Sequence, residues 1–264
     1  MTWWLATLLY LVAGTLTGLL SGILGIGGGV IVVPSLLFIF EMNPTIPTEL
    51  TMHLAAGSSL AVMLFTSFSA VRAHNQIEPI LWDVYRRLWP GIVIGTISGV
   101  ILASQLSTAT LKVLFSIFLL FIAYKMLRSA KLIRQGKFPP NWVNRLVSFF
   151  IGLKSGLLGV GGGVLIIPYL TYCGVDPRRI ASVSSLCTMT VAWIGTGMFM
   201  LTQHALNGPA YSTGYVYWPA VVWVGLTSVL IAPLGAKLSY VLPIHSLRYA
   251  FVVVLLLTVV GLLL

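Results

Sequence analysis

Acidic residues are scarce in this 264-residue chain: Glu41, Glu49, Glu78, Asp83 and Asp176 are its only carboxylates, and charged residues of all types make up 8% of it. Ordinary soluble domains are about 25% charged, so the chain lacks the polar surface to wrap a water-soluble globule. A soluble enzyme and a disordered tail are both excluded. The five acids fall in or beside loops, which argues against a cation pump built on buried carboxylates. Cysteine is scarce too. Cys173 and Cys187 have no CxxC spacing and no neighbouring histidine, and they read as packing residues, not a disulfide or a zinc site. Neither HExxH nor GxSxG occurs, and His53, His74, His204 and His245 are scattered singly, so no metal set, cofactor or enzymatic activity is expected.

What the chain has in abundance is apolar length, at 58% hydrophobic residues and a mean hydropathy of +1.00. A membrane-spanning helix needs about 20 mainly apolar residues. Apolar runs fall at about 3–24, 28–40, 51–71, 88–104, 110–127, 142–158, 162–173, 180–201, 216–235 and 246–264. They are too long for barrel strands and do not alternate, so they predict ten helical segments in a lipid bilayer. The first is too long for a signal-peptide core and lacks a basic leader, so it is expected to remain as a membrane segment. The second and seventh are too short to span, and each follows a glycine cluster, the pattern of a broken or re-entrant helix.

The net charge of +10 comes from 15 Lys and Arg that lie mostly in connectors. Cytoplasmic loops of membrane proteins carry such an excess, so the charge is read as topology, with no nucleic-acid partner implied. The basic connector with Lys125, Arg128, Lys131, Arg134, Lys137 and Arg145 and the Arg72 to Arg87 loop are placed on the cytoplasmic side.

The chain repeats itself. Ser21-Gly22-Ile23-Leu24-Gly25-Ile26-Gly27-Gly28-Gly29-Val30-Ile31-Val32-Val33-Pro34 matches Ser155-Gly156-Leu157-Leu158-Gly159-Val160-Gly161-Gly162-Gly163-Val164-Leu165-Ile166-Ile167-Pro168 at a constant offset of 134. Further along, Ala55, Ser58, Ser59 and Leu60 match Ala181, Ser184, Ser185 and Leu186, Trp89-Pro90 matches Trp218-Pro219, and Leu111-Lys112 matches Leu247-Arg248. The expected organisation is two five-segment copies, 1–125 and 146–264, joined by a basic cytoplasmic connector at 126–145. Corresponding loops carry opposite charge bias, and an odd number of crossings per copy makes the repeat inverted. The fold class is thus an all-α integral membrane protein of two inverted repeats, with glycine-broken or re-entrant helices meeting near the bilayer midplane.

The glycine clusters carry the sharpest functional signal. Where a helix resumes at Gly29 or Gly163, unpaired N–H groups and a positive dipole end would lie at membrane depth, ready for an anion. The candidate binding set is Gly27, Gly28, Gly29, Ser58 and Ser59 from the first copy and Gly161, Gly162, Gly163, Ser184 and Ser185 from the second, with Lys154 adding positive potential. The plainer alternatives are close packing for the glycines and bonds back to a helix carbonyl for the serines. Lys154 is the one charged residue well inside an apolar run; its counterpart is Leu20, and snorkelling toward the cytoplasm is its alternative. Gly14, Gly18 and Gly22, and Gly91, Gly95 and Gly99, are spaced by four and predict smooth packing faces. His53, one turn before Ser58, reads more readily as a helix-end residue than as a proton relay.

The doubled Gly-x-x-Gly-x-Gly-Gly-Gly with its following apolar stretch and Pro, and the Ser-Ser-Leu entering the next long helix, resemble the sulfite exporter TauE/SafE family of bacterial membrane transporters over essentially the whole chain. The second copy departs from the family's usual small-Gly-Thr-Ser run, reading Ala181-Ser182-Val183-Ser184-Ser185. The resemblance implies a multi-pass protein of the bacterial cytoplasmic membrane that moves a small sulfur-containing anion such as sulfite, a sulfonate or sulfoacetate. The residues themselves support an anion, by transport or through an anion channel of the same lining. A membrane scaffold has no need of the paired breaks. The expected partners are that anion and the lipid bilayer; a homo-oligomer stays open.

Overall fold

The computed structural model describes residues 3–24, 28–77, 79–128, 138–202, 209–241 and 244–263. Ten α-helices follow the ten apolar runs: α1 (Trp3–Leu24), α2 (Gly29–Glu41), α3 (Thr51–Ile77), α4 (Trp82–Gln105), α5 (Thr108–Arg128), α6 (Asn141–Leu158), α7 (Gly163–Tyr172), α8 (Pro177–Thr202), α9 (Trp218–Val241) and α10 (Ile244–Leu263). A 3-10 turn, Thr48–Leu50, leads into α3. Among the described residues five helices are long and apolar enough to cross a membrane, at Trp3–Ser21, Thr48–Arg72, Trp82–Gln105, Thr108–Leu127 and Arg179–Thr202. The protein is an all-α membrane protein.

Two differences from the sequence reading are instructive. The Arg72 to Arg87 stretch, expected as a loop, is mostly helix, since α3 runs on to Ile77 and α4 already begins at Trp82. An apolar run ends where side chains leave the hydrocarbon, whereas backbone hydrogen bonding has no reason to stop there. The second difference is a β-hairpin, β1 (Ser212–Thr213) and β2 (Val216–Tyr217), paired Ser212 with Tyr217 and Thr213 with Val216. Gly214 takes a positive φ of 59° in its turn, a conformation open to glycine.

α1 packs along α9, α4 along α6, α3 along α8 and α5 along α10. Replacing each helix by the one five places away maps these pairs onto one another: α1 with α9 becomes α6 with α4, α2 with α3 becomes α7 with α8, and α3 with α9 becomes α8 with α4. The glycine faces do what their spacing predicts. A Cβ on Gly14 would lie 2.8 Å from the Val224 carbonyl oxygen, and one on Gly18 2.7 Å from that of Ser228. On α4, Gly95 and Gly99 press closer still on the Phe149 and Leu153 carbonyls, and Gly152 and Gly156 of α6 return the contact to Ile92 and Thr96. Backbones that touch in this way gain dispersion contacts that larger residues would prevent, which is how helices associate without a hydrophobic drive between them.

The buried centre is formed by α2, the first half of α3 and the facing part of α8. Val32, Val33, Leu36, Leu54, Leu60, Val183 and Cys187 are fully enclosed. The outward flanks of α1, α5 and α9 expose Leu8, Leu16, Phe121, Leu226 and Leu230, as a lipid-facing surface does.

Candidate functional site

Both short helices begin at the glycine clusters, at Gly29 and Gly163, and neither start is capped by a side chain of its N-cap residue. Each carries a proline at the matching place, Pro34 and Pro168, which removes a further backbone donor from the helix. The first intrahelical bonds run from Ile31 and Val32 to the Gly28 carbonyl, and from Leu165 and Ile166 to that of Gly162. The N–H groups before them are those a helix start leaves to other partners.

The two starts are brought together. A Cβ on Gly29 would lie 2.9 Å from the Met63 sulfur and 3.1 Å from the Val160 Cα, and one on Gly161 would lie 3.0 Å from the same sulfur. Met63 of α3, fully buried, is therefore clasped between the break before α2 and the break before α7. The second break turns at Gly159, whose φ of 69° is left-handed and whose missing side chain lets Ala56 of α3 approach; the Val160 N–H bonds to the Ser155 carbonyl at 3.2 Å. Gly27 lies outside the described residues, while Gly28 and Gly162 are both buried at their N-cap positions.

The serines are not equivalent. Ser58, fully buried, accepts a hydrogen bond from the Tyr217 N–H at 2.9 Å and so tethers the hairpin. The Tyr215 carbonyl crosses Gly57 so closely that a Cβ there would lie 2.4 Å from its oxygen. Ser59, equally buried, has no hydrogen-bond partner. Ser184 is buried, and the half-buried Ser185 donates back to the Ala181 and Ser182 carbonyls. Lys154 does not snorkel. Its side-chain nitrogen is buried with no hydrogen-bond partner and sits 3.7 Å from the centre of the Phe118 ring of α5. A charge there would meet the face of the ring, which attracts a cation only weakly beside the cost of burying it.

Sequence reasoning missed three groups. Thr96 of α4, Ser155 of α6 and Thr196 of α8 are fully or nearly fully buried, and none of their hydroxyls has a partner. The doubled glycine segment includes Ser155 and would have pointed to it; the threonines carry no signal apart from their packing. His53 resolves as structural: its Nε2 bonds to the Ala103 and Leu106 carbonyls at 3.0 and 3.1 Å, closing the end of α4, and its ring stacks on Tyr215 at 5.0 Å. No cluster of metal-ligating side chains occurs among the described residues.

A cavity of about 250 Å³ opens beside the hairpin, lined among others by Trp3, Tyr10, Asn43, Tyr211, Tyr217 and Trp223. Tyr217 gives it a floor one hydrogen bond away from Ser58. Burial raises the Tyr217 phenol above its ordinary pKa, with the neighbouring Tyr211 adding to the shift, so this mouth is neutral and aromatic at physiological pH.

A family model described as "Sulfite exporter TauE/SafE" matches residues 10–262. The chain belongs to the sulfite exporter TauE/SafE family. This TauE/SafE protein is 30% identical to a "Probable membrane transporter protein" of Haemophilus influenzae, over 96% of its own length and 97% of the relative's. It is likewise 30% identical to one of Methanocaldococcus jannaschii so named, over 91% of this chain and 89% of the other. A third, from Bacillus subtilis, is 23% identical over 78% and 79%. No solved structure matches.

Proposed function

We propose that this member of the family is a secondary transporter that carries a small sulfur-containing anion, of the sulfite, sulfonate or sulfoacetate type, across the bacterial cytoplasmic membrane. In this reading 1–125 and 146–264 are inverted copies joined by the cytoplasmic connector 126–145. They rock about a midplane site built from Gly27, Gly28, Gly29, Ser58, Ser59, Lys154, Gly161, Gly162, Gly163, Ser184 and Ser185. Backbone N–H groups at the two helix starts hold the anion's oxygens, and Lys154 supplies positive potential. Alternating access then needs only that the two copies exchange conformations.

One observation carries this reading: the two uncapped helix starts approach the same Met63 side chain from opposite halves of the chain. Helix N-termini converging at membrane depth are costly unless a ligand uses them. The exchange pattern of the helix contacts supports related copies, and the names of the relatives support transport. The aromatic cavity beside the hairpin includes Tyr217, whose N–H bonds to Ser58.

Reconstituted in liposomes, the protein should take up sulfite with saturation and no single-channel currents. Gly29→Ala and Gly161→Ala, each pushing a methyl against Met63, should reduce uptake at least about tenfold with normal membrane insertion, because a small displacement at a binding site is that costly. Full transport by both variants sinks the backbone site, and discrete channel currents would replace transport by a pore.

A further inference from the structure

The strongest feature left over is a set of buried hydroxyls on four helices. Ser59 of α3, Thr96 of α4, Ser155 of α6 and Thr196 of α8 are each at most 2% exposed, and none of their oxygens has a partner. The four helices converge here. A Cβ on Gly195, next to Thr196, would lie 2.5 Å from a Leu60 methyl, next to Ser59, and 3.4 Å from the Thr96 methyl. One on Gly156, next to Ser155, would lie 2.4 Å from the Thr96 carbonyl. Buried polar groups are almost always bonded, and an orphan is costly, so four at one helix junction call for an explanation.

Each hydroxyl can donate one hydrogen bond as well as accept, and Lys154, beside Ser155, is a further buried nitrogen without a partner. Among the described residues no carboxylate is buried at this junction. An oxyanion, which brings several acceptors and no donor of its own, fits such a set of donors. We infer that Thr96, Ser155 and Thr196, with Ser59, form the specificity-determining part of the anion site, and that they select a three-oxygen sulfur headgroup, as in sulfite or a sulfonate, over a two-oxygen carboxylate. This rests on the transport reading above and moves the weight of recognition to the side where α4, α6 and α8 meet. Selectivity follows from counting: a carboxylate cannot satisfy as many donors, and an unpaired donor in a dry site discriminates strongly.

The test is sulfite and acetate binding to the purified, detergent-solubilised protein by titration calorimetry, together with melting in the absence of ligand. Thr96→Val and Thr196→Val keep shape and remove the hydroxyl; Ser155→Ala is an independent third variant. Each should weaken sulfite binding about tenfold while changing acetate far less, as loss of a hydrogen bond to a charged ligand does. Each should also melt no lower than the unmodified protein, because an unpaired group has been removed, and Thr96→Ser should restore sulfite affinity. Ser116→Ala, an orphan hydroxyl on α5, should leave binding as it is. Sulfite affinity unchanged in all three variants, equal losses for sulfite and acetate, or lower ligand-free melting that shows the hydroxyls to have partners, overturns the inference. If Gly29→Ala and Gly161→Ala abolish uptake while the hydroxyl variants bind normally, the backbone site stands without it. Absence of sulfite binding to the unmodified protein overturns the transport reading itself.

Discussion

The two glycine breaks align position for position, yet they use their polar groups differently. At the first, the Ser21 hydroxyl accepts the Gly28 N–H at 2.9 Å; at the second, its counterpart Ser155 leaves its hydroxyl unpartnered. Leu20 stands where the other segment has Lys154. Downstream, Ser58 is occupied by the Tyr217 amide of a hairpin inserted between α8 and α9, for which the short link between α3 and α4 provides no equivalent. A duplicated sequence therefore does not mean duplicated chemistry. At the first break a serine of the same segment holds one backbone N–H, and at the second the matching serine's hydroxyl has no partner.

The sharpest way to break this comparison is Lys154→Met against Leu20→Met. Lys154→Met should lower sulfite uptake at least about thirtyfold, as removal of a buried charge that faces a charged ligand does. It should at the same time raise the melting temperature, since a buried amine without a partner is a liability whether or not it is charged. Leu20→Met should change neither. Equal uptake by both variants would make Lys154 a packing residue.

Next in size is the serine pair. Ser21→Ala strands the Gly28 N–H and should cost about 1–3 kcal/mol in denaturant unfolding, whereas Ser155→Ala should cost nothing measurable. A reversed order would mean that the second break is the fastened one. Ser58→Ala removes the tether of the hairpin and should cost about 1 kcal/mol, visible as faster hydrogen exchange at the Tyr217 amide. Smallest is Ser185→Ala, which loses only a bond back to its own helix; a change of a few tenths of a kcal/mol is expected.

Most of the architecture was legible because hydrophobic length is a strong signal in a membrane. The runs located all ten helices, and the glycine clusters located the starts of α2 and α7 within a residue. The polar turns at the ends of α3 and α4 were not legible, because hydropathy reports the bilayer and not the backbone. Nor was the hairpin, which is held from outside by Ser58, accepting the N–H of strand residue Tyr217, and by the Phe199 carbonyl, accepting the N–H of turn residue Tyr215. For the site, glycine and serine identities could be read from repetition. Thr96 and Thr196 could not, since what marks them is the lack of a partner in three dimensions, and a lone threonine in an apolar helix usually bonds its own backbone.

The pairing of α1 with α9 has a consequence for how the protein is made. The Ser228 hydroxyl reaches the Gly14 carbonyl across 214 residues of chain. A ribosome adding about 5–20 residues per second takes about 10–40 s to cover that distance. Throughout that interval the smooth face of α1 stands in the bilayer without the helix it is cut to fit, while α4 and α6 can already close on one another. α1 thus waits in the membrane for a partner made much later, and it must stay clear of other small-faced helices until α9 arrives.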